Sequence, residues 1–206
     1  MTSNKKLVLA GLVAAVGLAL FFAYGRDAKI TNYPPKDGPI VAFGDSLVEG
    51  VGANKGGDLV SLLSNMIKEP IANLGVSGNT SADALARIDR VLEKEPRLVI
   101  VLLGGNDFLR KVAREETFAN LRQIVRKIQS KGAIVLLLGV RSNLLADNAA
   151  EYYEALAKET GSAYVPDVLD GIFGDSRYMA DSIHPNSQGY ARVAERVYPV
   201  LFKLLK

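Results

Sequence analysis

The sequence predicts an α/β protein: a three-layer α/β/α sandwich built on a mostly parallel five-stranded sheet. Apolar, β-prone runs bounded by turn residues alternate along the chain with segments that carry apolar residues at helical spacing. Such alternation implies a parallel sheet with helices on both faces. The 206 residues, 49% of them hydrophobic, provide enough material for one core. In an open sheet of this kind, ligands bind at the carboxyl ends of the strands.

Each element is predicted from its own apolar pattern. Strands are expected where short apolar runs end in turn residues, and helices where apolar residues recur every three or four positions. The predicted strands are 40–43, 71–74, 98–103, 133–139 and 163–165. The predicted helices are 58–67, 81–92, 117–131, 149–160 and 189–205.

The N-terminal residues 1–26 are predicted to lie outside this domain. Residues 7–24 carry no charged side chain and follow Lys5 and Lys6. As a helix this stretch would span about 27 Å, close to the hydrocarbon thickness of a bilayer. We therefore expect a hydrophobic transmembrane helix that anchors the protein, and small residues at 23 and 25 leave a cleaved signal peptide as the alternative. Both interpretations place the domain outside the cytoplasm, membrane-anchored in the first case and secreted in the second.

A polar segment, residues 27–38, connects the hydrophobic stretch to the domain. It contains the pair Pro34-Pro35, which predicts a short, stiff linker. The domain is expected to begin near Pro39 and to continue to Lys206.

The composition excludes several kinds of function. The formal net charge is only +3 and the basic residues are dispersed, so nucleic-acid binding has no support. The chain contains no cysteine, so it forms no disulfide, thiolate nucleophile or cysteine-based metal site. His184 is the only histidine, which leaves too few ligands for a zinc cluster.

His184 is also the only imidazole available for acid–base chemistry. Acyl transfer at neutral pH usually needs one imidazole as a proton shuttle. His184 follows Asp181 by three residues, a spacing that can bring the carboxylate to one ring nitrogen and leave the other for a nucleophile. Taken alone, it is more simply a surface histidine in a loop bounded by Pro185.

Ser46 is the candidate nucleophile. It lies directly after the first predicted strand, where an open α/β sheet places function. His184 would accept its proton, and Asp181 would fix the tautomer and stabilise the imidazolium. The alternative is a plain strand-to-helix turn, in which Gly44 relaxes the backbone and Asp45 or Ser46 caps a helix.

Two further turns bring hydrogen-bond donors to the same edge of the sheet. Gly78 follows the second strand and can expose a backbone N–H, whereas Asn106 follows the third and carries a side-chain NH2. An oxyanion needs fixed donors of this kind. Helix entry with a capping box at Thr80 and an ordinary Gly-Gly-Asn-Asp turn would explain the same residues without function.

Four short segments carry a family resemblance, the first three at predicted strand ends and the fourth just before the last predicted helix: Gly44-Asp45-Ser46-Leu47, Gly75-Val76-Ser77-Gly78-Asn79-Thr80, Gly104-Gly105-Asn106-Asp107 and Asp181-Ser182-Ile183-His184-Pro185-Asn186. In this order they resemble the SGNH hydrolase superfamily, the GDSL-type esterases and lipases. The resemblance covers about residues 39–206. Within the superfamily, the chain most resembles the bacterial arylesterase, acyl-thioesterase I and lysophospholipase L1 group. That narrower resemblance is carried by Leu85-Ala86-Arg87-Ile88 and Phe108-Leu109-Arg110.

The resemblance implies a flavodoxin-like fold and a set of roles. Ser46 would be the nucleophile, His184 the general base and then acid, and Asp181 the orienting carboxylate. The backbone N–H groups of Ser46 and Gly78, with the side-chain amide of Asn106, would form the oxyanion hole. Because the protein supplies every one of these groups, no metal and no organic cofactor are expected.

The departures from the family pattern are small. Asn79 stands where relatives often have Asp, and Ser182 stands where glycine is common. Neither position carries a bond-making role in the family. The connection 141–149 is short, which bears on the size of any lid or acyl groove.

The expected activity is hydrolysis of carboxylic esters, with thioesters and lysophospholipids as further substrates. The partners implied are a small-molecule or lipid ester and, through the N-terminal helix, a membrane. Two alternatives stay open: an O-acetylesterase of cell-envelope carbohydrate, and a non-catalytic membrane-anchored interaction domain on the same fold.

Several side chains near the motifs have two interpretations. Four apolar ones are either core, the commoner case, or the wall of an acyl pocket: Phe108, Leu109, Met179 and Ile183. Arg110 and Lys111 either meet an anionic head group or begin a solvated helix, which is again the commoner case.

Overall fold

The computed structural model describes residues 29–140 and 149–206. They form one sheet of five parallel strands in the order β2-β1-β3-β4-β5. The strands are β1 (Ile40–Gly44), β2 (Ile71–Gly75), β3 (Leu98–Leu102), β4 (Ile134–Leu138) and β5 (Ala163–Val165). The predicted parallel sheet is confirmed, with boundaries that shift by one residue. This is the flavodoxin-like order, and its connections reverse direction between β1 and β3.

The helices of the described residues are α1 (Ser46–Glu49), α2 (Leu59–Ile67), α3 (Ser81–Ala86), α4 (Asp89–Leu92), α5 (Gly105–Leu109), α6 (Arg114–Ser130), α7 (Ala149–Thr160) and α8 (Ser187–Leu204). The single helix predicted over 81–92 is wrong, because two short helices occupy it and the first is capped at Arg87. The Arg87 side chain reaches acceptors at the sheet edge. Apolar spacing did not predict α1 and α5, which are too short to show a helical period, and only the capping alternative at Asp45 pointed to α1.

Alternate residues of each strand face opposite layers, which makes the domain a three-layer sandwich. Ile40, Ile100 and Leu136 point to the side covered by α1, α2 and α8. Their neighbours Val41 and Val101 point to the side covered by α3, α4, α6 and α7. β1, β3 and β4 are buried along their whole length. Burial on both faces explains why these strands are uniformly apolar.

Residues 29–38, part of the predicted linker, lie against the domain. The Thr31 N–H donates to the Gly161 carbonyl at 2.9 Å, and the Asn32 amide donates to carbonyls of Gln129 and Ala133 at 2.8 and 3.0 Å. Gly161 and Ala133 precede β5 and β4, so this segment follows the amino edge of the sheet. The division at residue 38 stays a prediction.

The predicted N-terminal helix falls in residues 1–26, which lie outside the described residues. Within 29–140 and 149–206, no helix combines the length and apolarity needed to cross a membrane.

Candidate active site

Ser46 is the first residue of α1 and follows β1 across a single residue, Asp45. The Asp45 carboxylate caps the helix by accepting the Leu47 N–H at 3.0 Å. Gly44 has no room for a side chain, because a Cβ there would overlap the Leu102 carbonyl and the Val48 side chain. The capping interpretation of this turn is therefore correct for Asp45. It also leaves the buried Ser46 side chain at the carboxyl edge of the sheet.

The structure brings Ser46, His184 and Asp181 into one hydrogen-bonded chain. His184 Nε2 lies 3.0 Å from Ser46 Oγ, although 138 residues separate the two along the sequence. His184 Nδ1 lies 2.8 Å from Asp181 Oδ2. A ring N–H toward the carboxylate leaves Nε2 as an acceptor for the serine proton, which is the order that nucleophile activation requires.

The Asp181 carboxylate has one oxygen for the imidazole and one for the backbone. Its Oδ1 accepts the N–H groups of Ile183 and His184, both at 2.7 Å. The hydrogen bond from the His184 ring, followed by these two amides, lowers the pKa of Asp181 to about 2. The carboxylate is therefore ionised at neutral pH, and solvent also reaches it, since its side chain is 53% exposed.

The Asp181–His184 segment is closed by backbone bonds on both sides. The Ala180 N–H donates to the His184 carbonyl at 2.8 Å, and the Asn186 N–H donates to the Tyr178 carbonyl at 2.8 Å. The Asn186 side chain caps α8 by accepting the N–H groups of Gln188 and Gly189. The loop thus enters the last helix in a fixed direction.

Asn106 and the turn that contains Gly78 meet beside Ser46. The Asn106 Nδ2 group donates to the Asn79 carbonyl at 3.0 Å and lies 3.4 Å from Asp45 Oδ2. Gly78 has a φ of 77°, a left-handed conformation that favours glycine. Within the described residues, the backbone N–H groups of Ser46 and Gly78 donate to no protein acceptor. Thr80 forms the expected capping box with Asp83, so helix entry and a donor turn coexist here.

Two acidic residues support this edge: Asp45, which the sequence suggested only as a helix cap, and Asp107, to which it assigned no role of its own. Asp45 is 3% exposed, and burial raises the pKa of its carboxyl group to about 6 against the opposing hydrogen bond from Leu47. Asp107 is 1% exposed and accepts hydrogen bonds from the Ser81 N–H at 2.8 Å and from the hydroxyls of Ser81 and Thr117. Asp107 thereby ties the start of α5, and with it Asn106, to α3 and α6.

A pocket of about 510 Å³ opens beside Ser46 and Asn106. Among its described lining residues, the apolar ones include Phe108, Leu109, Val112, Phe118, Phe173 and Ile183. Three of the four apolar candidates from the sequence therefore face the pocket. The fourth, Met179, packs against the core.

The basic candidates divide in the same way. Lys111 lines the pocket, whereas the Arg110 guanidinium donates to the Gly78 carbonyl at 2.7 Å.

Tyr153 also lines the pocket, and its hydroxyl donates to the Leu103 carbonyl at 2.6 Å. Tyr153 sits directly against Gly104, where any side chain would overlap the hydroxyl. Over the described ranges, no cluster of three His, Cys, Asp or Glu side chains could hold a metal ion.

The chain is similar to known proteins along most of its length. Residues 42–192 match the GDSL-like Lipase/Acylhydrolase family. Esterase TesA of Pseudomonas aeruginosa is 34% identical over 178 residues, which cover 81% of this chain and 89% of the relative. Thioesterase 1/protease 1/lysophospholipase L1 of Escherichia coli K12 is 32% identical over 167 residues, or 76% of this chain and 79% of the relative.

Solved structures give the same result. A crystal structure of TesA superposes with a TM-score of 0.77 at 34% identity and covers 81% of this chain and 99% of its own. The psychrotrophic esterase EstA from Pseudoalteromonas sp., inhibited by monoethylphosphonate, gives 0.71 at 28% identity, with 82% and 99% covered.

The fold and these relatives define an α/β enzyme of the ester-hydrolysing class. More narrowly, the chain belongs to the GDSL-like lipase/acylhydrolase family and is an esterase of the SGNH type.

Proposed function

We propose that this esterase works through an acyl-enzyme on Ser46, with His184 as proton shuttle and Asp181 as its orienting carboxylate. The observation that carries the proposal is the continuous chain from Asp181 Oδ2 to His184 Nδ1 at 2.8 Å and from His184 Nε2 to Ser46 Oγ at 3.0 Å. Both distances lie within the range required for proton transfer.

In the acylation half, Ser46 Oγ attacks the carbonyl carbon as its proton passes to His184 Nε2. The tetrahedral intermediate then collapses, the carbon–oxygen or carbon–sulfur bond to the leaving group breaks, and His184 returns the proton to that group. In the second half, water attacks the acyl carbon as His184 takes one of its protons. The bond from the acyl carbon to Ser46 Oγ then breaks, His184 returns the proton to Oγ, and the carboxylic acid leaves. Asp181 stabilises the imidazolium in both halves.

The negative oxygen of each intermediate is proposed to lie between three donors: the backbone N–H groups of Ser46 and Gly78 and the Asn106 side-chain amide. Support comes from the two N–H groups, which donate to no acceptor in the described part of the chain. Asn106 is held beside them by its bond to the Asn79 carbonyl. Donors fixed before the reaction cost no reorganisation when the charge develops.

A fluorophosphonate probe tests the nucleophile. Wild-type protein should be labelled at Ser46, and Ser46→Ala should lose both labelling and turnover while keeping the wild-type unfolding transition. His184→Ala should also lose turnover, by about 10⁴-fold or more, because no second imidazole exists in the chain. Persistent labelling of Ser46→Ala at another serine would refute the assignment.

The pocket supports an acyl group of some length as the recognised part of the substrate. Aromatic and aliphatic side chains make up most of the lining of its 510 Å³, a volume that an acetyl group would leave mostly empty. We therefore favour acyl esters, including thioesters and lysophospholipids, over an O-acetylated carbohydrate. A series of p-nitrophenyl esters of increasing chain length, with an acetylated sugar included, separates these substrates. A non-catalytic role would require the series to give no turnover at all.

Residues 1–26 are proposed to anchor the domain outside the cytoplasm, with residues 39–206 as the catalytic domain. The residues after the deletion point keep their contacts, since Thr31 and Asn32 bond to the domain. A chain that lacks residues 1–26 should therefore be soluble and fully active on short esters, while the full chain should sediment with membranes. Recovery of a shortened soluble protein from the full chain would indicate a cleaved signal. Loss of activity on deletion would contradict the domain division.

A further inference from the structure

Three charged side chains from three different elements hold three consecutive residues, Ser77, Gly78 and Asn79, which we call the oxyanion turn. Glu49 of α1 accepts the Ser77 N–H at 2.5 Å. Arg110, just after α5, donates to the Gly78 carbonyl at 2.7 Å. Arg87, just after α3, donates through Nε to the Asn79 side-chain oxygen at 2.5 Å.

The first two of these bonds flank the one peptide unit that carries the Gly78 N–H. That unit joins Ser77 to Gly78. The peptide before it is fixed through the Ser77 N–H, and the peptide after it is fixed through the Gly78 carbonyl. Glycine has the widest choice of backbone conformations, so without such bonds the unit could rotate and turn its N–H away. Bonds to charged groups are the stronger kind of hydrogen bond, which suits them to this task.

Arg87 connects the oxyanion turn to the strand that precedes the nucleophile. Its NH2 group donates to the Gly44 carbonyl at 2.7 Å and its NH1 group to the Leu74 carbonyl at 3.0 Å. The guanidinium lies 4.4 Å above the Phe43 ring. One side chain thus sets the distance between the end of β1, the end of β2 and Asn79.

We propose that Glu49, Arg87 and Arg110 are positioning residues that hold the Gly78 N–H in the direction of the oxyanion. This inference rests on the proposed function of Gly78 as a donor. None of the three is among the described residues that line the substrate pocket. They act through the oxyanion turn, so their loss should reduce the stabilisation of the transition state. Binding of the substrate in its ground state should be unchanged.

The test uses Arg110→Ala and Glu49→Ala with a neutral substrate, p-nitrophenyl butyrate. Each variant should lower kcat about tenfold, less than the roughly 10²- to 10³-fold loss of a whole donor, and should leave KM within about twofold. Matched controls are Arg126→Ala and Glu154→Ala. The side chain of Arg126 is 64% exposed, similar to the 57% of Arg110, and it forms an ion pair with Glu159. Glu154 forms an ion pair with Lys158. Both controls should keep the wild-type kcat.

Conservative variants and a second measurement separate positioning from folding. Arg110→Lys and Glu49→Gln keep a donor and an acceptor and should recover part of the lost kcat. The rate of phosphonate labelling at Ser46 should fall in parallel with kcat, because the phosphoryl oxygen occupies the same hole. Arg87→Lys, checked by its unfolding transition, should lower kcat in the same manner.

The inference would be overturned if Arg110→Ala and Glu49→Ala had the same kcat as Arg126→Ala. A raised KM with unchanged kcat would also overturn it, because that pattern indicates direct substrate contact. If either result were obtained while wild-type protein was still labelled at Ser46, only the positioning role would be contradicted. Turnover by Ser46→Ala would remove the proposed function as well.

Discussion

The two carboxyl groups nearest the reacting atoms have opposite environments. Asp45, beside the proposed nucleophile Ser46, is buried, and burial raises its pKa to about 6. Asp181, beside the proposed base His184, lies on an exposed loop, and hydrogen bonds from His184 and Ile183 lower its pKa to about 2. The Ser46 side of the site is thus built into the sheet edge, whereas the His184 side is a surface loop held by local bonds. The carboxylate with the lowered pKa lies where the proposed mechanism needs an imidazolium to be stabilised, and the carboxyl group with the raised pKa lies where the backbone is held.

The same substitution, Asp to Asn, should therefore have different effects on the two sides. Asp181→Asn is expected to produce the larger loss of activity, about 10³- to 10⁴-fold in kcat. The Asn oxygen would still accept the Ile183 and His184 N–H groups, so its NH2 would face His184 Nδ1. The ring would then carry its proton on Nε2 and could not accept the Ser46 proton. Steady-state kinetics on p-nitrophenyl butyrate measure this loss.

The unfolding transition of Asp181→Asn at pH 8 serves as its control and should fall only slightly below that of the wild type. The lowered pKa means that the ionised carboxylate stabilises the fold at this pH, and solvent screening keeps that contribution small. If kcat fell less than tenfold, the exposed loop would not be orienting the base, and the contrast between the two sides would disappear.

Asn106→Ala tests the nucleophile side and should lower kcat by roughly 10²- to 10³-fold, the usual loss for one oxyanion donor. Its side chain donates to the Asn79 carbonyl and lies beside Asp45, so it is fixed before substrate arrives. KM should change little, because the charge that it meets exists only in the transition state. A decrease below about threefold would remove Asn106 from the oxyanion hole.

The sheet and the reacting side chains could be predicted from sequence because their signals are local. The buried strands β1 and β3 are uniformly apolar, and Ser46 and Asn106 lie in the turns that follow them. Gly78 lies in the turn after β2, a partly exposed strand with a weaker apolar pattern. The supports of the site could not be predicted in this way. Asp107 accepts the Ser81 N–H, 26 residues away, and Arg87, at the break between α3 and α4, donates to the Gly44 carbonyl, 43 residues away. No local pattern records a contact between residues that distant in the chain.

The smallest expected effect is a change in stability, and it comes from substitution of the buried Asp45. Its folded-state pKa of about 6 lies above the ordinary value of 3.8, so folding favours the protonated form. The stability that this proton contributes is fully present below about pH 4 and is lost as pH rises through about 6. At pH 8 the folded wild type thus contains a buried, ionised carboxylate. Asparagine carries no charge and can still accept the Leu47 N–H through its oxygen.

Asp45→Asn should therefore raise the free energy of unfolding at pH 8, by up to about 3 kcal/mol for a shift of this size, and the gain should vanish near pH 4. Urea unfolding at the two pH values measures it, with Asp181→Asn as the variant that shows no such gain at pH 8. The new NH2 would face the Asn106 amide, 3.4 Å from the present carboxylate oxygen, so kcat should fall while stability rises. An Asp45→Asn protein that is less stable than wild type at pH 8 would mean that the ionised carboxylate holds the turn together, and the two sides of the site would then differ in exposure but not in what their charges do.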